Sequence, residues 1–178
     1  MPSQERDRRS SRFLARFVGL LIVFYFLVAW RPINDAVIEP FTAFIASVSA
    51  RILNTLGERV AVSGTEIRAP GFAVNIENGC NGIETVLLFG AAVLAFPASA
   101  RRRALGLAAG FVAIEGLNFF RVVSLFWIGK HYPVLFSSSH TVVWQSTVVL
   151  FGVLLFLAWA VWRPSQRVEP VRFPGRKR

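Results

Sequence analysis

Apolar residues along the chain gather into long runs separated by short polar or basic ones, and only one region alternates at the period of a strand. Residues 1–12 are polar and basic, and 13–30 form an apolar run broken only by Arg16. A bilayer core takes roughly 20 helical residues, so this run predicts a first membrane helix. A basic region ahead of a hydrophobic one also describes a signal peptide, but no small-residue cleavage site follows Trp30-Arg31-Pro32, and the helix is expected to be retained. Residues 82–97 predict a short second span, 104–129 a third and 141–162 a fourth. Trp30, Trp127, Trp144, Trp159 and Trp162 fall near the span ends, where amphipathic rings favour the headgroup layer.

The segment between the first two spans, 31–81, has its own pattern. Over 36–57, Val37, Phe41, Phe44, Ile45, Val48, Ile52, Leu53 and Leu56 recur every three or four residues, the spacing of an amphipathic helix. Glu39, Pro40 and Arg51 interrupt it, which favours an interfacial or re-entrant helix over a fifth span. Short strands follow at 59–62, 65–68 and 72–76, separated by Ser63-Gly64 and Ala69-Pro70-Gly71, which are turn sequences. The fold class expected is an all-α polytopic membrane protein of about four transmembrane helices, with an outer amphipathic helix and a small β-meander cap, in a single membrane-embedded domain over 1–178.

Composition agrees: 54% of the 178 residues are hydrophobic and 17% charged, and the mean hydropathy is +0.51. That is too apolar for a soluble domain to cover itself and too rich in Phe, Leu, Val and Ile for disorder. The formal net charge is +10. Nucleic-acid binding would spread basic residues over a folded face, whereas here they collect at the chain ends (Arg6 to Arg16, Arg163 to Arg178) and at Arg101 to Arg103. Basic residues near span ends stay in the cytoplasm. Both termini are therefore expected inside and 31–81 and 130–140 outside, where Arg31, Arg51, Arg59, Arg68 and Lys130 are matched by five acids. The charge reads as topology, and no nucleic acid is expected as a partner.

The only cysteine, Cys80, lies in Asn78-Gly79-Cys80-Asn81-Gly82, a turn opening into the second span. A thiol at a helix N-terminus feels the positive end of the dipole, which suits a nucleophile. Its blander reading is a small buried hydrophobe. Arg121 lies inside the third span, where a permanent charge is costly and needs an acidic partner or a use. With Glu115 and Asn118 it forms a polar stripe, and a packing ion pair with Glu84 or Glu115 is the alternative. Of two histidines, His131 lies in a loop sequence and His140 begins the fourth span at the boundary where Cys80 begins the second. His140 is preferred. Nucleophile, charge stabiliser and general acid/base together make an acyl-transfer set. Cys80, His131 and His140 lack close ligand-pair spacing, so no metal or other cofactor is expected.

Cys80-Asn81-Gly82-Ile83 at a span entrance, Asn118-Phe119-Phe120-Arg121 in the next span and His140 at the start of the last resemble the exosortase/archaeosortase family of membrane-embedded cysteine transpeptidases, over roughly 60–162. The compact chain is most similar to the small, H-type exosortases. The resemblance implies Cys80, Arg121 and His140 as the catalytic set, with Asn118, Glu84, Glu115 and Asn81 supporting. It implies a multi-pass enzyme of the bacterial inner membrane with its site at the periplasmic face. Its substrates would be exported proteins bearing a C-terminal motif, a transmembrane helix and a basic tail, transferred through a thioester to a surface acceptor nucleophile. Two features depart from the family: Asn81 stands where many members have Ser or Ala, and many have about twice as many spans. A purely hydrolytic intramembrane protease and a non-catalytic membrane scaffold are the competing readings.

Overall fold

The computed structural model describes residues 2–162, and the basic tail 163–178 lies outside the described residues. Helix α1 (Pro2–Ala29) ends at Trp30, whose extended backbone kinks the chain into a helical turn, α2 (Arg31–Ile33). A π-helical turn (Asn34–Ile38) leads into α3 (Glu39–Thr55). Strands β1 (Ala61–Ser63), β2 (Glu66–Ala69) and β3 (Phe72–Asn75) follow, then α4 (Ile83–Ala95) and α5 (Ala100–His131). Helix α6 (Pro133–Ser138) runs through a second π turn (Ser139–Trp144) into α7 (Gln145–Val161). The strands form an antiparallel meander with β2 central, pairing Val62 with Ile67 and Ile67 with Val74.

The helices carry their apolar residues outward. Ile22, Phe26, Val112, Phe120, Leu150 and Leu154 are all more than half exposed, a surface that only lipid or a partner can cover. Among the described residues four helical stretches are long and apolar enough to cross a membrane: Asp7–Ala29, Arg31–Thr55, Ala100–His131 and Pro133–Val161. The chain is thus an all-α polytopic membrane protein with a small three-stranded sheet. The second span expected over 82–97 is a 13-residue helix, short of a full crossing. Gly82 stops it at one end and the extended backbone at Phe96, before Pro97, at the other. The fourth stretch begins earlier than 141, because Pro133 starts a helix that the π turn continues without a break.

Two cores divide the bundle. In one, Phe89, Val93, Ile114 and Trp159 join α4, α5 and α7. In the other, Ile45, Ala46, Ala50 and Leu53 of α3 pack on Val122 and Phe126 of α5 and on Ile67 of the sheet. Helix α3 and the residues that follow it run beside α5, from Phe111, whose ring meets Phe41, to Lys130, which donates to Glu58. At about 1.5 Å per residue the 32 residues of α5 extend roughly 48 Å, well beyond a hydrocarbon core of about 30 Å. Arg102 and Arg103 fasten the opposite end. Arg102 donates to the carbonyls of Trp159, Ala160 and Trp162, and Arg103 to that of Phe96. They cap the C-termini of α7 and α4 in addition to any part in topology.

Candidate active site

The loop from β3 to α4 sits at the junction of the two cores and is tied down residue by residue. Ile76 N–H donates to Thr65 O at 3.0 Å, and Asn78 Nδ2 donates to Asn34 Oδ1 at 2.9 Å, the latter in the first π turn. Asn81 is almost fully buried; it donates to Thr42 Oγ1 at 2.9 Å and accepts from Ile83 N–H at 3.2 Å. One amide thus pins the loop to α3 and caps the first turn of α4. Gly82 adopts φ +85°, and a Cβ there would lie 2.7 Å from Glu115 Oε1. Only glycine combines that backbone with that contact.

Cys80 is held in this loop by its N–H, which donates to Glu77 O at 2.9 Å, and its Sγ lies 2.9 Å from His140 Nε2. His140 comes from the π turn ahead of α7, where a widened helical turn sets its ring over the loop. The Phe136 ring stacks on it at 5.9 Å between centroids and 11° between planes. Arg121, 2% exposed on α5, reaches across with three contacts: Gly79 O at 3.4 Å, Gln145 Oε1 at 3.3 Å and Cys80 Sγ at 3.7 Å. Its guanidinium fork suits such convergent acceptors.

Cys80 stands three residues ahead of the α4 helix, so the dipole is not what governs its thiol. Burial pushes that thiol above the ordinary cysteine range, the Arg121 charge pulls it back down, and Glu77 and Glu84 add to the rise. A histidine nitrogen lies in hydrogen-bond reach of this sulfur, where it can take the thiol proton. A cavity of about 190 Å³ opens beside it, walled by Val74, Ile76, Val122, Leu125 and Phe136, with Cys80, Arg121 and His140 on one side.

The remaining sequence candidates fall elsewhere. His131 is 3.2 Å from Glu58 and its ring lies 4.9 Å from Trp127, so it belongs to the α3–α5 clamp. There, donation from Lys130 and then His131 holds the Glu58 carboxyl below the usual carboxylate range. Among the described residues Arg121 forms no ion pair with Glu84 or Glu115 within 4.0 Å. Glu115 packs on Gly82, and Asn118 is fully buried; the side-chain polar atoms of both lack hydrogen-bond partners. Glu84 lines a separate cavity behind Arg121. Gln145 escaped the sequence reading, although it was the one side-chain amide inside the apolar run 141–162 and polar groups within spans mark function.

No curated protein and no solved structure matches the chain significantly. The family model described as transmembrane exosortase matches residues 7–161, from α1 to the end of α7, and so takes in all the residues of this site. The chain belongs to the transmembrane exosortase family.

Proposed function

We propose that, within the membrane transpeptidase- or protease-like role of the exosortase family, Cys80, Arg121 and His140 carry out acyl transfer on the C-terminal sorting signal of exported proteins. The observation that carries this reading is the 2.9 Å contact between Cys80 and His140 beside Arg121, at the mouth of an apolar cavity. His140 takes the thiol proton as Sγ attacks the scissile carbonyl carbon. Arg121 stabilises the thiolate first and the oxyanion next. His140 then returns the proton to the departing amine, and the acyl group stays on Sγ as a thioester. The apolar cavity holds the backbone and side chains next to the cut. An acceptor nucleophile, or water, resolves the thioester.

The topology belongs to the same proposal. Basic residues at Arg6 to Arg16, Arg101 to Arg103 and Arg163 to Arg178 put both termini and the α4–α5 turn in the bacterial cytoplasm. A core of about 30 Å then covers α5 from Ala100 to about Arg121. The Cys80 loop lies at the periplasmic boundary of the inner membrane, and the sheet stands above it as an outer layer. Helix α3 has the length to cross, but its Phe41 meets Phe111 midway along the core part of α5 and its far end leads to Glu58 beside Lys130, which favours a re-entrant position over a fifth span.

The deciding experiment is mass spectrometry of the mature C-terminus of a processed partner. An adduct means transfer and a bare carboxylate means hydrolysis. Normal processing by Cys80→Ala would leave the scaffold reading standing.

A further inference from the structure

The β-meander has two edges, and they are finished differently. Beside β1, both backbone groups of Val60 are taken by one side chain of α3: its N–H donates to Asn54 Oδ1 at 3.0 Å and its carbonyl accepts from Asn54 Nδ2 at 3.1 Å. Strand β3 forms the other edge and pairs with β2 alone. Ile76 N–H donates to Thr65 O, and bonding alternates along an antiparallel pair, so Phe72, Val74 and Ile76 turn their backbone groups toward β2. The N–H and C=O groups of Ala73 and Asn75 therefore point away from the sheet. Both residues are exposed, and among the described residues these groups make no hydrogen bond.

The same edge borders the reaction cavity. Val74, Asn75, Ile76 and Glu77, four consecutive residues, line it together with Cys80. Successive side chains of a strand point to opposite faces, so a cavity touched by an unbroken run meets the strand along its edge and not on one face. The Asn75 side chain is drawn back from that edge, because its Oδ1 accepts from Thr65 Oγ1 at 2.7 Å, just ahead of β2. Val122, Leu125 and Phe136 supply an apolar wall to the same cavity. Unpaired strand N–H and C=O groups, an apolar wall and a nucleophile at one cavity match a polypeptide in extended form.

We infer that the substrate's peptide binds as a fourth strand on β3, bonded to the N–H and C=O groups of Ala73 and Asn75, with alternate side chains against Val122, Leu125 and Phe136 and its scissile carbonyl beside Cys80 Sγ. The strand site rests on the acyl-enzyme proposed above and gives the form in which its substrate is held. Main-chain bonds to a sheet edge supply affinity for any extended segment, and the apolar wall selects side chains at every second position.

The test uses the full chain in detergent micelles, with Cys80→Ala as the background and two acyl donors that share one reacting end: the p-nitrophenyl esters of acetyl-Ala and of acetyl-Val-Ala-Val-Ala. Both release nitrophenolate as Sγ takes the acyl group, and the ratio of their kcat/KM values does not depend on how much protein is folded. The wild type should favour the longer ester at least about tenfold, the scale of two or more added hydrogen bonds. Ala73→Pro removes an outward N–H at an edge position, where proline breaks no bond of the sheet. It should lower the ratio at least about fivefold. The longer ester is then methylated at each of its amide nitrogens in turn and given to the wild type. Losses should alternate, at least about fivefold at every second nitrogen and under about twofold between, since only alternate N–H groups of a bound strand face β3. A ratio near one in the wild type, a ratio unmoved by Ala73→Pro, or losses without alternation overturns the strand site while leaving the acyl-enzyme intact. Absence of Cys80-dependent nitrophenolate release from both esters overturns the acyl-enzyme reading, and the strand site with it.

Discussion

Cys80 Sγ and His140 Nε2 lie 2.9 Å apart although 60 residues separate them, and His131, nine residues before His140, faces Glu58 instead. The two histidines therefore make a discriminating pair. His140→Ala should cut processing of a membrane-anchored substrate by about 10²-fold or more, the usual contribution of a positioned general acid/base. His131→Ala should leave turnover within about twofold while loosening the α3–α5 clamp. Full-length substrate accumulating in membranes reads the first effect and thermal unfolding the second. The reverse pattern would assign the proton transfer to the wrong residue.

Arg121→Lys should be as inactive as Arg121→Ala, by about 10² to 10³-fold in turnover, the scale of losing a preorganised oxyanion donor. The reason is geometric. Arg121 reaches Gly79 O, Cys80 Sγ and Gln145 Oε1 at once, and a single ammonium on a flexible stem cannot hold three such directions. Gln145→Ala should give an intermediate loss, because it frees one arm of the fork without removing the charge. Near-normal turnover of Arg121→Lys would reduce Arg121 to a packing residue.

How much of this was legible beforehand follows from what each signal depends on. The apolar runs over 13–30, 104–129 and 141–162 and the meander could be read because hydrophobic runs and turn sequences are local, and the order β1, β2, β3 needed only consecutive hairpins. Which residues approach each other could be narrowed from topology alone, since Cys80, Arg121 and His140 were each expected near one boundary. The π turn that carries His140 was not legible: nothing in Ser139-His140-Thr141 distinguishes a widened turn from an ordinary one. The length of α4 depended on where Gly82 takes a left-handed backbone, at a position where Glu115 of a different helix leaves no room for a Cβ. Gln145 was visible as a polar residue in a span, but its partner lies 24 residues earlier and only packing brings them together.

Alkylation of Cys80 by iodoacetamide should follow pH with a midpoint above the ordinary cysteine value, because burial opposes the thiolate more strongly than Arg121 supports it. Thiolate is the reacting form, so the rate at pH 7 should be low and should climb through the alkaline range. Arg121→Gln removes the one group that lowers the value and should move the midpoint higher still. A midpoint below that of free cysteine in the wild type would mean that the resting enzyme holds a thiolate, and His140 would not be needed to take its proton.

The basic first turn of α5 yields the last prediction, because its three arginines share one topological signal but differ in contacts. Arg102 donates to the carbonyls of Trp159, Ala160 and Trp162 at 2.7, 3.0 and 2.7 Å, and its guanidinium lies 4.7 Å from the centre of the Trp159 ring. Arg101 is exposed. Hydrogen bonds from a charged donor contribute about 1.5–3 kcal/mol each at best, and they overlap when they share one side chain. Arg102→Ala should therefore destabilise the bundle by about 2–3 kcal/mol, while Arg101→Ala should stay within about 0.5 kcal/mol, the range of a free surface position. Both variants keep two arginines in the turn, so neither should invert the protein in the membrane. Trp fluorescence followed through thermal unfolding measures the difference, since Trp159 is part of the contact that Arg102 makes. Equal stability of the two variants would mean that these arginines act on orientation alone.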